Sequence, residues 1–146
     1  VLNFNVLETL GNTVASATLK AGMAAGLTNG SAAVISAREA IDREEARENL
    51  EKRLSELAEQ HNFQYNRVSI RSQRTRWGSC SSKDNISLNM KLLHLPQQLI
   101  DYILLHELVH TRVKNHSKDF WNELETVVPN ARTVDEQLRE YQYCLF

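Results

Sequence analysis

The residues best able to do chemistry stand together in His106-Glu107-Leu108-Val109-His110, an H-E-x-x-H pattern. Two histidines four apart on a helix lie one turn above each other, with Cβ atoms about 5 to 6 Å apart, so both imidazoles reach one zinc ion. Glu107 lies about 100° round the helix from His106 and points beside such an ion, where it suits holding a water better than ligation. Zinc with three protein ligands keeps a fourth position for water, lowers its pKa to about 7, and lets a neighbouring carboxylate take the proton. Glu107 is therefore the candidate general base, and His106 and His110 are candidate ligands of one Zn2+ per chain. Burying two imidazoles and a carboxylate on an apolar helix without a metal would strand polar atoms at about 1 to 3 kcal/mol each.

The leading third ligand is His116, six residues past His110. A continuous helix turns about 600° over six residues and would face His116 away, so the helix has to end soon after His110 and the chain bend back. Val113 holds the position of glycine in the longer H-E-x-x-H-x-x-G-x-x-H pattern, so this turn must be made without glycine. Glu123 and Glu125, on the next helix, are the competing third ligands; the frequency of histidine at zinc sites favours His116.

The surroundings are cationic. Residues 65–120 hold nine bases against four acids, although the formal charge of the whole chain is −1. An anionic substrate or a nucleic-acid surface suits such a face, and so do solvated strand edges blunted by Lys and Arg. Arg74, Arg76, Ser79 and Asn89 are the candidate substrate-binding residues; Arg74, Arg76 or Lys91 could hold phosphates by charge-assisted hydrogen bonds. Arg76, Tyr102 and Tyr141 are the candidates for steadying an oxyanion. Trp77 and Trp121 read as core rather than as base-stacking platforms, Cys80 as a packing neighbour of the cleft, and His61 and His94 lack metal-ligand spacing.

The elements that must position these groups follow from patterning. Ser36-Ala37-Arg38-Glu39 reads as a capping box, and Ala46, Leu50, Leu54, Leu57 and Ala58 recur at helical spacing behind it, with Glu39–Arg43 and Glu48–Lys52 as i,i+4 pairs on a solvated face. Asn66 to Ser72 and Asn85 to Asn89 alternate as half-buried strands. The polar turn Ser81 to Asp84 suits a hairpin, giving a small, mainly antiparallel sheet. Pro96 opens a helix from Leu99 to Val109 with almost no polar face, which predicts burial. A helix after Ser117 carries Phe120, Trp121 and Leu124 and stops near Pro129, and Thr133-Val134-Asp135-Glu136 opens the last one. The 146 residues, 42% of them hydrophobic, suffice for one core. Residues 1–36 form an unassigned segment of short strands and turns, small-residue helices or a terminal arm, and 37–146 the functional domain. No apolar run of membrane-spanning length occurs, and no signal-peptide pattern is present. Two cysteines, Cys80 and Cys144, fit a reducing compartment, hence a cytoplasmic location.

Taken in order, Arg74 to Ser81, Asn85 to Asn89, Asp101-Tyr102, the H-E-x-x-H helix, Asn115-His116-Ser117 and Phe120-Trp121 resemble the YgjP-type predicted metal-dependent hydrolases, which are similar to the SprT-like and WLM zinc-peptidase groups. The resemblance covers about residues 38–140. It implies an α+β, minimal zincin-like fold with a small sheet packed on a buried active-site helix and flanking helices, zinc on His106, His110 and His116, and Glu107 as catalytic base. Members are classed with metallopeptidases, and nucleotide pyrophosphatase activity has been assigned to some.

The expected function is a zinc metallopeptidase, with the strand from Ile86 to Asn89 forming the cleft's upper rim and pairing with an extended peptide. The alternatives are a metal-dependent nucleoside triphosphate pyrophosphatase and a nucleic-acid-associated zinc-binding module. The first lacks a glycine-rich phosphate loop, and the second has no use for a base beside the metal.

Overall fold

The computed structural model describes residues 31–145. Most of the unassigned segment 1–36 therefore lies outside the described residues. The described chain runs α1 (Ser31–Gln60), β1 (Arg67–Arg71), β2 (Gly78–Cys80), β3 (Asn85–Asn89), a 3-10 turn (Met90–His94), α2 (Gln97–Val109), α3 (Lys118–Val127) and α4 (Ala131–Leu145).

The predicted stripe of α1 is the buried one: Ala46, Leu50, Leu54, Leu57 and Ala58 face the core. Ser36 to Glu39 lies inside this helix rather than at its start, because the alanines on both sides let it run through. Glu39–Arg43 and Glu48–Lys52 do not pair; Arg38 meets Asp42 and Arg47 meets Glu44 instead. A helix charged at most outer positions offers several neighbours separated by only tenths of a kcal/mol. The helix stops at Asn62, whose φ of 57° is left-handed. Phe63 N–H then bonds Ala58 O at 2.8 Å and Asn62 N–H bonds Glu59 O at 3.3 Å, the paired bonds of a Schellman stop, and Phe63 is carried into the core.

The sheet corrects the expectation of mainly antiparallel pairing. Its order is β1-β3-β2, with β1 parallel to β3 over five residue pairs and β2 antiparallel to β3 over three. The hairpin across Ser81 to Asp84 forms as expected, with Asp84 left-handed at φ 59° and Ser81 Oγ accepting from the N–H of Lys83 and of Asn85. What patterning missed is that β3 returns between the two earlier strands and runs parallel to β1. This also corrects the rim. β3 is central and hydrogen-bonded on both sides, so it cannot pair with a peptide, whereas β2 has no strand on its other edge among the described residues.

Val68, Ile70, Ile86 and Leu88 turn one face of the sheet to the core. Against it packs α2, nine of whose thirteen residues are buried, as its apolar run predicts. Arg53 of α1 grips Asp101 of α2 through two parallel 2.8 Å bonds, and Tyr102 donates from its hydroxyl to Asp135 of α4 at 2.9 Å. Helix α3 ends ahead of Pro129. Helix α4 begins at Ala131, two residues before the box at Thr133, because left-handed Asn130 (φ 62°) reverses the chain at once. No helix among the described residues is long and apolar enough to cross a membrane, and both cysteines are free.

Candidate active site

His106 and Glu107 sit in the last turn of α2, and His110 closes it as the C-cap with ordinary right-handed angles (φ −63°, ψ −16°). The bend back follows without glycine. Thr111 and Arg112 N–H tighten onto Leu108 and Val109 carbonyls at 3.0 and 2.9 Å, Thr111 Oγ1 also bonds Leu108 O, and Val113 is not among the described residues of positive φ. Asn115 Oδ1 then accepts from Ser117 N–H, and the chain enters α3. The outcome is that His116 returns to the helix it has just left.

Nε2 of His116 lies 3.1 Å from Nε2 of His106 and 3.1 Å from Nε2 of His110. Two nitrogens bound to one tetrahedral zinc stand about 3.4 Å apart given Zn–N bonds near 2.05 Å, so this spacing fits a shared ion. His110 has a fixed tautomer: its Nδ1–H donates to Val113 O at 2.9 Å, leaving Nε2 a bare acceptor. A single proton on His116 Nε2 can serve only one of its two short contacts, so a cation at the centre satisfies the donor set better than a proton does. Burial, with His110 and His116 alongside, pushes the His106 imidazolium down to about 3, and burial also lowers that of His110, which favours the neutral, ligating form of these two rings. Phe120, fully buried, floors the cluster with its ring centroid 4.8, 4.5 and 4.8 Å from those of His106, His110 and His116.

Glu107 is 6% exposed, and its Oε2 has no hydrogen-bond partner among the described residues. Burial alone pushes its carboxyl up to about 8. Gly78 makes room for it: a Cβ there would stand 3.1 Å from both Cγ and Oε1 of Glu107. Beside them opens a cavity of about 270 Å³ lined by Arg76, Trp77, Gly78, His106, Glu107 and residues of α4.

The other candidates divide. Arg76 reaches this cavity, whereas Arg74 is exposed outside it and Ser79 lines the opposite face of the sheet. Asn89 is fully buried, donating to Gln73 O and Arg76 O and accepting from Lys91 N–H, and so clamps the loop before β2. Lys91 reaches Leu145 O, at the end of α4. Glu123 is taken by Arg112, and Glu125 is exposed; neither joins the histidine group. Tyr102 lines the cavity, but its hydroxyl serves Asp135; Tyr141 packs on the core instead. Trp77 and Trp121 both pack on the core as predicted, Trp121 beneath Arg132. Sequence reasoning missed the service of Gly78, Phe120 and Asn89; Gly78 beside an otherwise bulky Arg-Trp run was the one available signal.

A family model described as YgjP-like, metallopeptidase domain, matches residues 5–141, reaching further toward the N-terminus than the motifs alone. Among solved structures the chain is similar to the metallopeptidase zymogen abylysin of Pyrococcus abyssi, at 28% identity and TM-score 0.56, covering 63% of this chain and 93% of that one. It is also similar in fold to the zymogen jannalysin of Methanocaldococcus jannaschii, at 24% identity and TM-score 0.55, covering 65% and 96%. No curated protein matches.

Proposed function

Because the chain belongs to the YgjP-like metallopeptidase family, we propose that it is a zinc peptidase whose ion is held by His106, His110 and His116 and whose general base is Glu107. The observation that carries this reading is the convergence of three Nε2 atoms beside a buried carboxylate with one oxygen left unpartnered. A zinc ion so held supplies Lewis-acid chemistry, acidifying a water and polarising a carbonyl. A cation at the histidines would favour the ionised form of Glu107 against the effect of burial, and Glu107 then moves the proton: its free Oε2 takes it from the attacking water and delivers it to the amine nitrogen as the C–N bond breaks. Burial keeps that proton from exchanging with bulk water between the two steps.

The substrate's place follows from β2. The bonds Asn89 N–H to Trp77 O and Ser81 N–H to Asn85 O commit those residues, and Ser79 between them, to β3. By alternation, Gly78 and Cys80 turn their N–H and C=O to the other edge. An extended peptide pairs there, laying its carbonyl beside the histidines and one side chain in the cavity. Of the oxyanion candidates, Arg76 alone both lines the cavity and has a side chain without a partner among the described residues. Nothing in the likenesses points to a nucleotide or a nucleic acid.

The test is turnover of a quenched fluorogenic peptide library by the zinc-loaded full chain and its Glu107→Gln variant. The variant should keep its zinc and lose at least about 10²-fold in kcat, the scale of one general acid–base group. Unchanged turnover would remove Glu107 from the reaction.

A further inference from the structure

The outer face of the sheet carries a second concavity, of about 690 Å³. The strand registers set Ser69, Ser87 and Ser79 in one row across β1, β3 and β2, and the hydroxyls of Ser69 and Ser87 are 3.1 Å apart. Three short side chains make the floor. Arg67 and Arg71 flank Ser69 on the same face, two residues to either side, and Arg76 stands at the end nearest β2. All three arginines are exposed, no acid lines the concavity, and none of the three guanidinium groups has an ion pair or hydrogen bond among the described residues. Arg53, Arg112 and Arg139, by contrast, each meet a carboxylate. Like charges gathered over hydroxyls without a counterion favour an anionic visitor, and guanidinium forks fit carboxylates.

Arg76 lines this trough and the catalytic cavity alike, so the two adjoin across β2. A peptide laid on that edge of β2 sends alternate side chains to the two faces of the sheet. We infer that the trough is a subsite for acidic side chains of the peptide substrate where it leaves the β2 edge and crosses the outer face of the sheet, with Arg76 at the near end and Arg67 and Arg71, on β1, at the far end as its carboxylate-binding groups. This rests on the peptidase reading and adds a substrate class to it. No aromatic side chain lines the trough, which disfavours single-stranded nucleic acid, whose bases need a stacking platform.

The experiment is fluorescence anisotropy with labelled extended peptides that differ only in Glu against Gln, titrated with the zinc-loaded full-length Glu107→Gln chain, which does not consume them. The Glu peptide should bind about tenfold more tightly at low salt, as expected for hydrogen bonds to charged groups. That advantage should shrink as salt rises and vanish when Arg67→Gln and Arg71→Gln are added; circular dichroism checks that the added substitutions, both at exposed positions, leave the fold intact. Equal binding of the two peptides, an advantage that survives the arginine substitutions, or tighter binding of a single-stranded oligonucleotide would overturn the inference. Turnover of the same peptides by the unsubstituted chain separates the two readings: preferential Glu binding without cleavage would refute the peptidase and leave the trough standing.

Discussion

Gly78 is set by what lies across from it. Its missing side chain is the space into which Glu107 folds, and Ser87 O closes the other side at 3.2 Å from where a Cβ would be. With backbone on one side, the strain of an added methyl passes to the carboxylate, and a displacement near 1 Å can cost about 10²-fold in rate. Gly78→Ala should therefore lower kcat by at least about tenfold with zinc content unchanged; steady-state kinetics beside metal analysis checks this, and an unaltered kcat would show that Glu107 has slack. His106, Glu107 and His110 were legible in sequence because an i,i+4 relation is local geometry. The dependence of Glu107 on Gly78 was not, since it arises only when β2 is docked on α2. Asn89 misled for a related reason: its strand alternates as a cleft strand would, but the loop from Gln73 to Arg76 returns over it and uses its amide.

Elements deliver what single residues cannot. The end of α2 at Val109, two tightened turns and the start of α3 together carry His116 back to His106 and His110. Phe120, in the first turn of α3, packs against all three rings and stacks on that of His110 at 26°. Replacing Phe120 by Leu nearly conserves volume, at a cost below about 1.5 kcal/mol, but removes the flat floor. Zinc affinity of Phe120→Leu should fall about tenfold, as for other groups that orient ligands from behind. Competition with a chromogenic chelator reads it, and an unchanged affinity would make Phe120 mere filling. Helix existence was legible at this scale because periodicity is local, as in the stripe from Ala46 to Ala58. Strand order was not: the β2–β3 hairpin is announced by its turn, whereas the parallel pairing of β1 with β3 depends on where the chain goes after Arg71.

At the scale of the molecule, one buried helix is held from several sides: by the sheet, by Arg53 of α1 on Asp101, and by Asp135 of α4 on Tyr102. These ties fix the helix that carries His106 and Glu107, and they join segments far apart in the chain, which is why no sequence pattern announced them. The cationic excess of residues 65–120 likewise resolves only in three dimensions. Arg112 and Lys114 are spent on Glu123 and Asp84, while the free guanidinium groups collect along the sheet. In the proposed centre three histidines and no glutamate hold one zinc beside Glu107. Zinc content per chain, measured by plasma mass spectrometry after zinc loading and desalting, tests it most directly on the unsubstituted protein, His116→Ala and Glu123→Ala. One zinc per chain is expected in the first and third and little or none in the second. Zinc retained by His116→Ala and lost from Glu123→Ala, or no zinc in any of the three, would contradict it.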